Sequence, residues 1–568
     1  MARGTGDTPF ELQSRTVGAL PIVGAFLERL GTGAMLEKEL PTDSRAQLSV
    51  AQSLGVLLCN IVCERAPLYA LGEWVASHDE VALGLDEGDG RLINDDRIGR
   101  ALDRLFDADR AALVTRIALA AIRRFGVATD ELHNDSTSIT LQGNYADADG
   151  RRVRGKPTVT AARGHSKDHR PDLKQLLWVL TVSSDFAVPL HYRLYDGNTS
   201  DTEPHIEVWD TLVALVGKAG FLYVADSKLC TGDNMAHIAS NKGRFLTVMP
   251  RTRSEDSDFR TWVRSNHPDW VLVRDNGVDA DGLRDAYLMW EAPWPSKEGY
   301  RVAWVLSSAK RHYDGERRRA RIKRASESLD DLKARLVAPK ARIRTVEAAM
   351  RAVDEILAET STTDYFDIRL QPTSEPTYRQ EQRGRRTDDT RYRRTDRTRI
   401  ALSFEILADE VAGHAASDGM FPFITNDREL SLGELLEHYK YQPCLERRHE
   451  QLKTGLEVVP LWLKNINRIE AILLLYYVAL LVRALIEREI RRNMKADDIA
   501  SLPLYPEDRN CPAPSAERIL AIFSDLQRHE LVTDGRTIEV FEPQLSKLQR
   551  RVLKLLGLSP SIYRDQYE

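Results

Sequence analysis

His133-Asn134-Asp135-Ser136-Thr137-Ser138-Ile139 is a polar segment inside a stretch, Leu132–Leu141, whose β-branched residues read as a strand. Aspartate is disfavoured in a strand, so something other than propensity must hold Asp135 there. Downstream, Lys174–Val182 and Val188–Tyr195 are β-rich and separated by a tight Ser183-Ser184-Asp185 turn. A helix is expected over Glu203–Ala219, with Ile206, Trp209, Leu212, Val213 and Val216 on one side and Gly220 as its stop. The apolar strand Phe221-Leu222-Tyr223-Val224-Ala225 then closes on a second acid, Asp226, before a helix at Gly232–Ser240 and a strand at Phe245–Met249. Three strands followed by helix, strand, helix and strand make an α/β layer with an antiparallel start and parallel additions.

That order is the one a ribonuclease-H-like core requires: a mixed five-stranded sheet flanked by helices. In it Asp135 falls midway along the first strand and Asp226 at the carboxyl end of the fourth, and those two strands lie side by side. A third acid comes from residues 420–490, which read as a return to the core. Phe421–Thr425 is a short strand, and Ser431 with Glu434 forms a capping-box pattern opening a helix towards Lys440. Pro443 fits the first turn of a second helix, which carries Glu446 to about Lys453. Glu446 and Lys453 are seven residues apart, two turns, and so share a face. Three converging carboxylates can hold two divalent cations about 3.5–4 Å apart for phosphodiester chemistry. Each acid also has a plainer reading. Asp135 can bond a nearby amide, Asp226 can cap the next helix, and Glu446 can answer the helix dipole. Glu450 and Glu457 are rival third acids.

A chain of 568 residues with 42% apolar content supplies several cores, which excludes wholesale disorder. The net charge of −5 gives no global sign of nucleic-acid binding, so positive charge must be local. It is: residues 311–324 are a basic run, and residues 378–399 set nine arginines against four acids around Tyr378 and Tyr392. Such a mixture suits phosphate contact and stacking, although a solvated loop explains it equally well. The five cysteines have neither zinc-site nor disulfide-framework spacing, which points to a reduced, cytoplasmic protein. The N-terminus lacks the apolar core of a signal peptide. The longest apolar run, Ala471 to Val482, spans about 18 Å as a helix, too short for a bilayer, and reads as a buried helix.

Five segments follow. Residues 1–128 read as all-helical, with Ser49 and Asp107 as N-caps. Residues 129–249 are the first part of the core. Residues 250–419 are an insertion of strands at Trp270–Arg274, Ala286–Glu291 and Arg301–Ser307, a long helical stretch broken at Pro339, and strands at Tyr365–Leu370 and Arg399–Leu407 flanking an arginine-rich loop. Residues 420–492 return to the core, with a break at Pro460 before a long apolar helix from Leu461. Residues 493–568 are a small helical tail with one strand, Thr537–Phe541.

Tyr439, Gln442, Glu446 and Lys453 together resemble the Tyr-Arg-Glu-Lys signature of bacterial insertion-sequence transposases of the DDE type. Tyr223-Val224-Ala225-Asp226 is similar to that group's second-aspartate strand, and Gly197-Asn198-Thr199-Ser200-Asp201 to its glycine-asparagine turn. The stretch from Gly164 to Gln175 is similar to the one leading into its second strand. Gln442 departs from the signature's arginine, which weakens a charged phosphate contact to a neutral one. The resemblance implies a transposase that binds the terminal inverted repeats of its element, cleaves strands and joins them to target DNA. Asp135, Asp226 and Glu446 would hold two Mg²⁺ ions, replaceable by Mn²⁺. Tyr439, Gln442, Arg447, Arg448 and Lys453 would contact DNA, and a homodimer would pair two ends. Residues 1–128 would read the repeat and the insertion would help grip DNA. His165, Lys167, Asp168, Lys174 and Lys228 rank lower, as solvated side chains. A relative without strand cleavage and a stand-alone nuclease are the alternative readings.

Overall fold

The computed structural model describes residues 10–41, 45–279, 282–458, 463–533 and 536–564. The chain divides into two compact units, one built from residues 1–247 and 436–568, the other from 248–435.

The first unit opens with strand β1 (Glu11–Thr16) and helices α1 (Leu20–Leu30), α2 (Thr32–Glu39), α3 (Val50–Cys63), α4 (Leu71–Ser77), α5 (Asp95–Asp107) and α6 (Arg110–Phe125). Ser49 caps α3 in a reciprocal box with Gln52. Asp107 is not a cap. It ends α5 and binds Arg154, whereas the Asp109 side chain accepts the Ala112 amide to open α6. The all-helical expectation fails at β1, which pairs antiparallel with Gln527–Thr533. A lone six-residue strand carries no signal of a partner some 500 residues away.

The core follows: β2 (Glu131–Leu141), a small hairpin of β3 (Arg152–Val153) and β4 (Lys156–Pro157), β5 (Lys174–Ser183), β6 (Pro189–Tyr195), α7 (His205–Val216), β7 (Leu222–Ala225), α8 (Gly232–Ser240) and β8 (Arg244–Val248). Within this unit the sheet runs β6-β5-β2-β7-β8. The first three strands are mutually antiparallel, and β7 and β8 add in parallel. Much of the polar strand β2 is paired where it is buried: Asn134 donates to the Thr181 hydroxyl at 2.9 Å, and His133 Nε2 bonds Glu131 at 2.8 Å.

The second unit holds α9 (Ser254–Trp262), β9 (Val271–Val278), β10 (Arg284–Glu291), β11 (Arg301–Ser307), α10 (Ser308–Val337), α11 (Val346–Thr360), β12 (Phe366–Gln380), β13 (Tyr392–Ile406), α12 (Ala408–Ala415) and β14 (Met420–Thr425). Strands β14-β11-β10-β9 form an antiparallel sheet. All six residues of β14 pair with β11, and the strand falls within the second compact unit. The arginine-rich segment is also more ordered than a loop, because β12 and β13 extend into it as one long two-stranded ribbon. The ribbon's root packs with Leu329, Leu332, Val353 and Leu357 of α10 and α11.

Helix α13 (Leu432–Tyr439) opens with the expected box, the Ser431 amide and hydroxyl both donating to Glu434. It stops at Tyr439, and α14 (Gln442–Glu450) starts afresh with Pro443 in its first turn. A π-helical turn, Gln451–Gly455, follows. The expected break at Pro460 and the helix start at Leu461 lie outside the described residues. Helix α15 (Ile466–Ala496) covers the described part of the expected long apolar helix and, at 31 residues, is long and apolar enough to cross a membrane. Yet 94% of that window is buried inside the protein, against α3, α5 and β6 among others. Its buried charges are matched: Arg488 bonds Asp185 at 2.6 Å, and Glu487 accepts from Arg448 at 2.7 Å. The tail adds α16 (Ala516–Ala521), β15 (Gln527–Thr533), β16 (Arg536–Phe541) and α17 (Lys547–Leu555), and contributes two strands to the sheet β1-β15-β16.

Candidate active site

Strands β2 and β7 run parallel, with Asn134 opposite Ala225 at the end of their pairing. One residue further along the two neighbouring segments stand Asp135 and Asp226. Both sequence-level alternatives turn out to be true hydrogen bonds. The Ser136 amide donates to Asp135 at 2.8 Å, and the Lys228 amide donates to Asp226, capping a short 3₁₀ turn. Neither bond uses up a carboxylate, which has further lone pairs to offer.

Burial raises the Asp135 carboxyl to about 6, and the negative charges of Asp226 and Glu446 add to that effect while Lys167 opposes it. Asp226 is raised as well, first by burial and also by Asp201. Glu446 is exposed on α14, and its charge reaches both Asp135 and the Tyr439 phenol. Burial raises Tyr439, and so do all three acids, Asp226 most strongly. The three carboxylates and Tyr439 therefore share one electrostatic neighbourhood.

Four side chains complete it. Lys167 lies 3.7 Å from Asp135 and 3.7 Å from Asp201, and donates to the Ser136 hydroxyl at 2.8 Å. Asp201 accepts from the same hydroxyl at 3.0 Å. Asp168 pairs with Lys453. His449 is buried, with Nε2 3.7 Å from Asp135 and, among the described residues, no hydrogen-bond partner for either ring nitrogen. Burial lowers its pKa to about 3, so it stays neutral. The segment around Lys167 is thus part of the site, not a solvated loop. Two glycines let it close: a Cβ on Gly197 would meet the Gln175 carbonyl at 1.9 Å, and one on Gly164 would meet the Gly197 carbonyl at 2.2 Å. Of these, His449 carries a helical signal, since it stands one turn after Glu446 and shares its face.

The remaining predicted residues divide. Arg447 is exposed. Arg448 is 3% exposed and spent within the protein: it donates to the Ala187 carbonyl at 2.9 Å, the Phe186 carbonyl at 2.8 Å and Glu487. Phe186 and Ala187 both have positive φ, so Arg448 clamps a strained turn. It is not a surface for phosphate. Gln442 is buried too, its Oε1 without a partner. Lys453 lies on the π-helical turn rather than two regular turns beyond Glu446.

An all-oxygen donor set at mutually repelling, part-buried carboxylates fits a hard divalent cation. The acids do not form a closed cage, however: among the described residues no group of three or more His, Cys, Asp or Glu side chains is drawn together as a ready ligand set. Lys167 supplies the positive charge there instead.

Comparison with known proteins adds two findings. Residues 12–119 match a domain of unknown function, DUF4277. Among solved structures, the piggyBac transposase synaptic complex with hairpin DNA is similar at 12% identity, over 52% of this chain and 63% of that one, with a TM-score of 0.26. A search of curated protein sequences gives no match.

Proposed function

We propose that this chain is a DNA transposase of the DDE type, with a ribonuclease-H-like core, acting on the terminal inverted repeats of a mobile element. The observation that carries the reading is the placement of Asp135 and Asp226 each one residue beyond the last paired residues, Asn134 and Ala225, of the parallel neighbours β2 and β7, with the charge of Glu446 acting on Asp135 from α14. A pair of Mg²⁺ or Mn²⁺ ions held by these three acids would supply charge neutralisation and an activated oxygen at phosphorus. Tyr439 lines the acidic pocket and can donate to a phosphate oxygen. Arg447 and Lys453 would hold backbone phosphates without reading sequence, Lys453 after exchanging Asp168 for phosphate. Neutral His449 can accept a proton-bearing hydrogen bond beside Asp135. The enzyme would work in the cytoplasm as a homodimer that pairs two ends.

The test uses duplexes tiled across the DNA flanking the gene, with Mg²⁺ and excess target duplex. Wild-type protein should nick at a repeat boundary and produce joined strands, and Asp226→Asn and Glu446→Gln proteins should bind but not cut. Nicks without joined products would make it a nuclease. Binding without nicks in the wild type would make it a regulatory relative.

Lys167 yields a further expectation. It supplies a competing positive charge among the acids, so Lys167→Met should bind Mn²⁺ about fivefold more tightly, a gain of roughly 1 kcal/mol at this separation. Calorimetric titration reads this directly, and unchanged or weaker affinity would show that the lysine does not compete.

A further inference from the structure

The ribbon β12–β13 is paired over fifteen positions, from Phe366 opposite Ile406 to Gln380 opposite Tyr392. Only its root is anchored. Phe366, Leu402 and Ile400 are buried with α10 and α11, and Ile368 and Leu370 pack against that cluster. Beyond the pair Pro372–Ile400 the apolar residues stop, and eight more pairs, Thr373–Arg399 to Gln380–Tyr392, run on. At about 3.4 Å per residue this is an arm of roughly 27 Å. Nearly all of it is exposed on both faces. An isolated two-stranded ribbon is marginally stable in water, so a free arm of this length needs a partner to justify it.

The chemistry of the two faces names that partner. Residues directly opposite each other point the same way. One face carries Tyr378 beside Arg394, with Tyr392 opposite Gln380, and the tyrosines are 65% and 45% exposed. The other carries Arg379 opposite Arg393, two like charges side by side at the tip of the ladder. That juxtaposition is unfavourable in isolation. The tip segment adds Arg383, Arg385 and Arg386. Among the described residues the ribbon's arginines form three ion pairs, Arg369 with Asp367 and Arg394 with Asp396 within single strands, and Arg399 with Glu375 across the strands at the base of the arm. The guanidinium groups at the tip are uncommitted.

We propose that this arm is a duplex-DNA reader that lies in the major groove. The groove is about 12 Å wide and admits a two-stranded ribbon. A ribbon seated in it presents one face to base edges, while long side chains on its other face can reach round to the phosphates on either side. Arg379 and Arg393 then meet the phosphate charge that relieves their repulsion, and the face with Tyr378, Arg394 and Tyr392 offers donors and flat rings to the groove floor. Single strands lack such a groove, and an acidic protein surface lacks its width. The inference rests on the transposase reading for the purpose of the contact, but not for the contact itself.

The experiment uses the full chain and a fluorescent 40-base-pair duplex of random sequence. The variant is Arg379→Ala/Arg383→Ala/Arg385→Ala/Arg386→Ala/Arg393→Ala, which leaves the apolar root intact. Its duplex affinity at 150 mM salt should fall at least about 30-fold, with a log–log salt slope shallower by about 3 to 4. A duplex whose cytosines carry glucosyl-hydroxymethyl groups, which fill the major groove, should bind wild-type protein at least tenfold more weakly and make little difference to the variant. An unchanged melting curve for the variant confirms that the root holds. Equal duplex affinity in wild type and variant overturns the proposal, as does indifference of the wild type to the filled groove. Cleavage by wild type and variant of duplexes tiled across the DNA flanking the gene, with Mg²⁺, separates the two readings. Cutting without arm dependence sinks the arm alone, and arm-dependent binding without any cutting sinks the catalytic reading alone.

Discussion

Asp135→Asn should stabilise the metal-free protein at pH 7.5 while abolishing Mg²⁺-dependent strand cleavage. The sign comes from the raised carboxyl, which moves from an ordinary 3.8 to about 6 in the folded protein. Below pH 4 the acid is protonated whether the chain is folded or not, and it costs nothing. Between about pH 4 and 6 the unfolded chain releases the proton first, so stability falls as pH rises through that window. Above it the folded state carries a penalty of at most about 3 kcal/mol, because the site is partly open to solvent and screening reduces it. Asparagine removes the charge and the penalty together. Thermal melts should therefore show the mutant a few degrees above wild type at pH 7.5 and level with it near pH 4. Added Mn²⁺ should raise the wild-type melting temperature and leave the mutant unmoved. Cleavage should fall by at least about 1,000-fold, the equivalent of about 4 kcal/mol of transition-state stabilisation. A mutant that melts below wild type at neutral pH would mean that Asp135 is a structural acid.

Arg448→Ala should be the most damaging substitution near the site, and for a reason unrelated to DNA. Its guanidinium spans the Phe186 and Ala187 carbonyls and the buried Glu487. Removing it deprives the buried Glu487 of its short ion pair, leaving only neutral donors from Gln451 and Ala516 and the Arg491 charge at 4.0 Å, and releases a turn with two positive-φ residues. A loss of about 3–5 kcal/mol is expected, enough to make the protein insoluble or partly unfolded. Arg447→Ala, one residue away and exposed, should change stability by less than about 0.5 kcal/mol. Denaturant unfolding of both proteins decides the matter. If Arg448→Ala unfolds like wild type and loses only duplex affinity, Arg448 faces DNA after all.

The two arginines show where sequence reading ran out. Both lie in the run that follows Glu446, and both are basic residues on a helix. Which one meets solvent depends on how α14 is rotated against β2, the Phe186–Ala187 turn and α15, and no local pattern encodes that rotation. Lys167 and Asp168 failed for the opposite reason. They sit in a polar segment before a strand, which is ordinarily a solvated loop. Their inward placement depends on Gly164 and Gly197 permitting a backbone approach that any Cβ would block. The long ribbon was half legible: its apolar root reads as two short strands, but the arginine-rich extension has no hydrophobic alternation to mark it.

From sequence alone came the order of strands and helices between residues 131 and 248, the isolation of Asp135 on a polar strand, the position of Asp226 at a strand's end and the restart of the helix at Pro443. These follow from short-range rules, periodicity, capping and proline geometry, that act within a few residues of each other. Tertiary structure alone decided that β1 pairs with the tail, that Arg448 is a clamp, and that Lys167, Asp201 and His449 stand among the acids. Those outcomes are set by packing and by charge burial between segments tens to hundreds of residues apart, where the free energy belongs to the pair and to neither partner's local sequence.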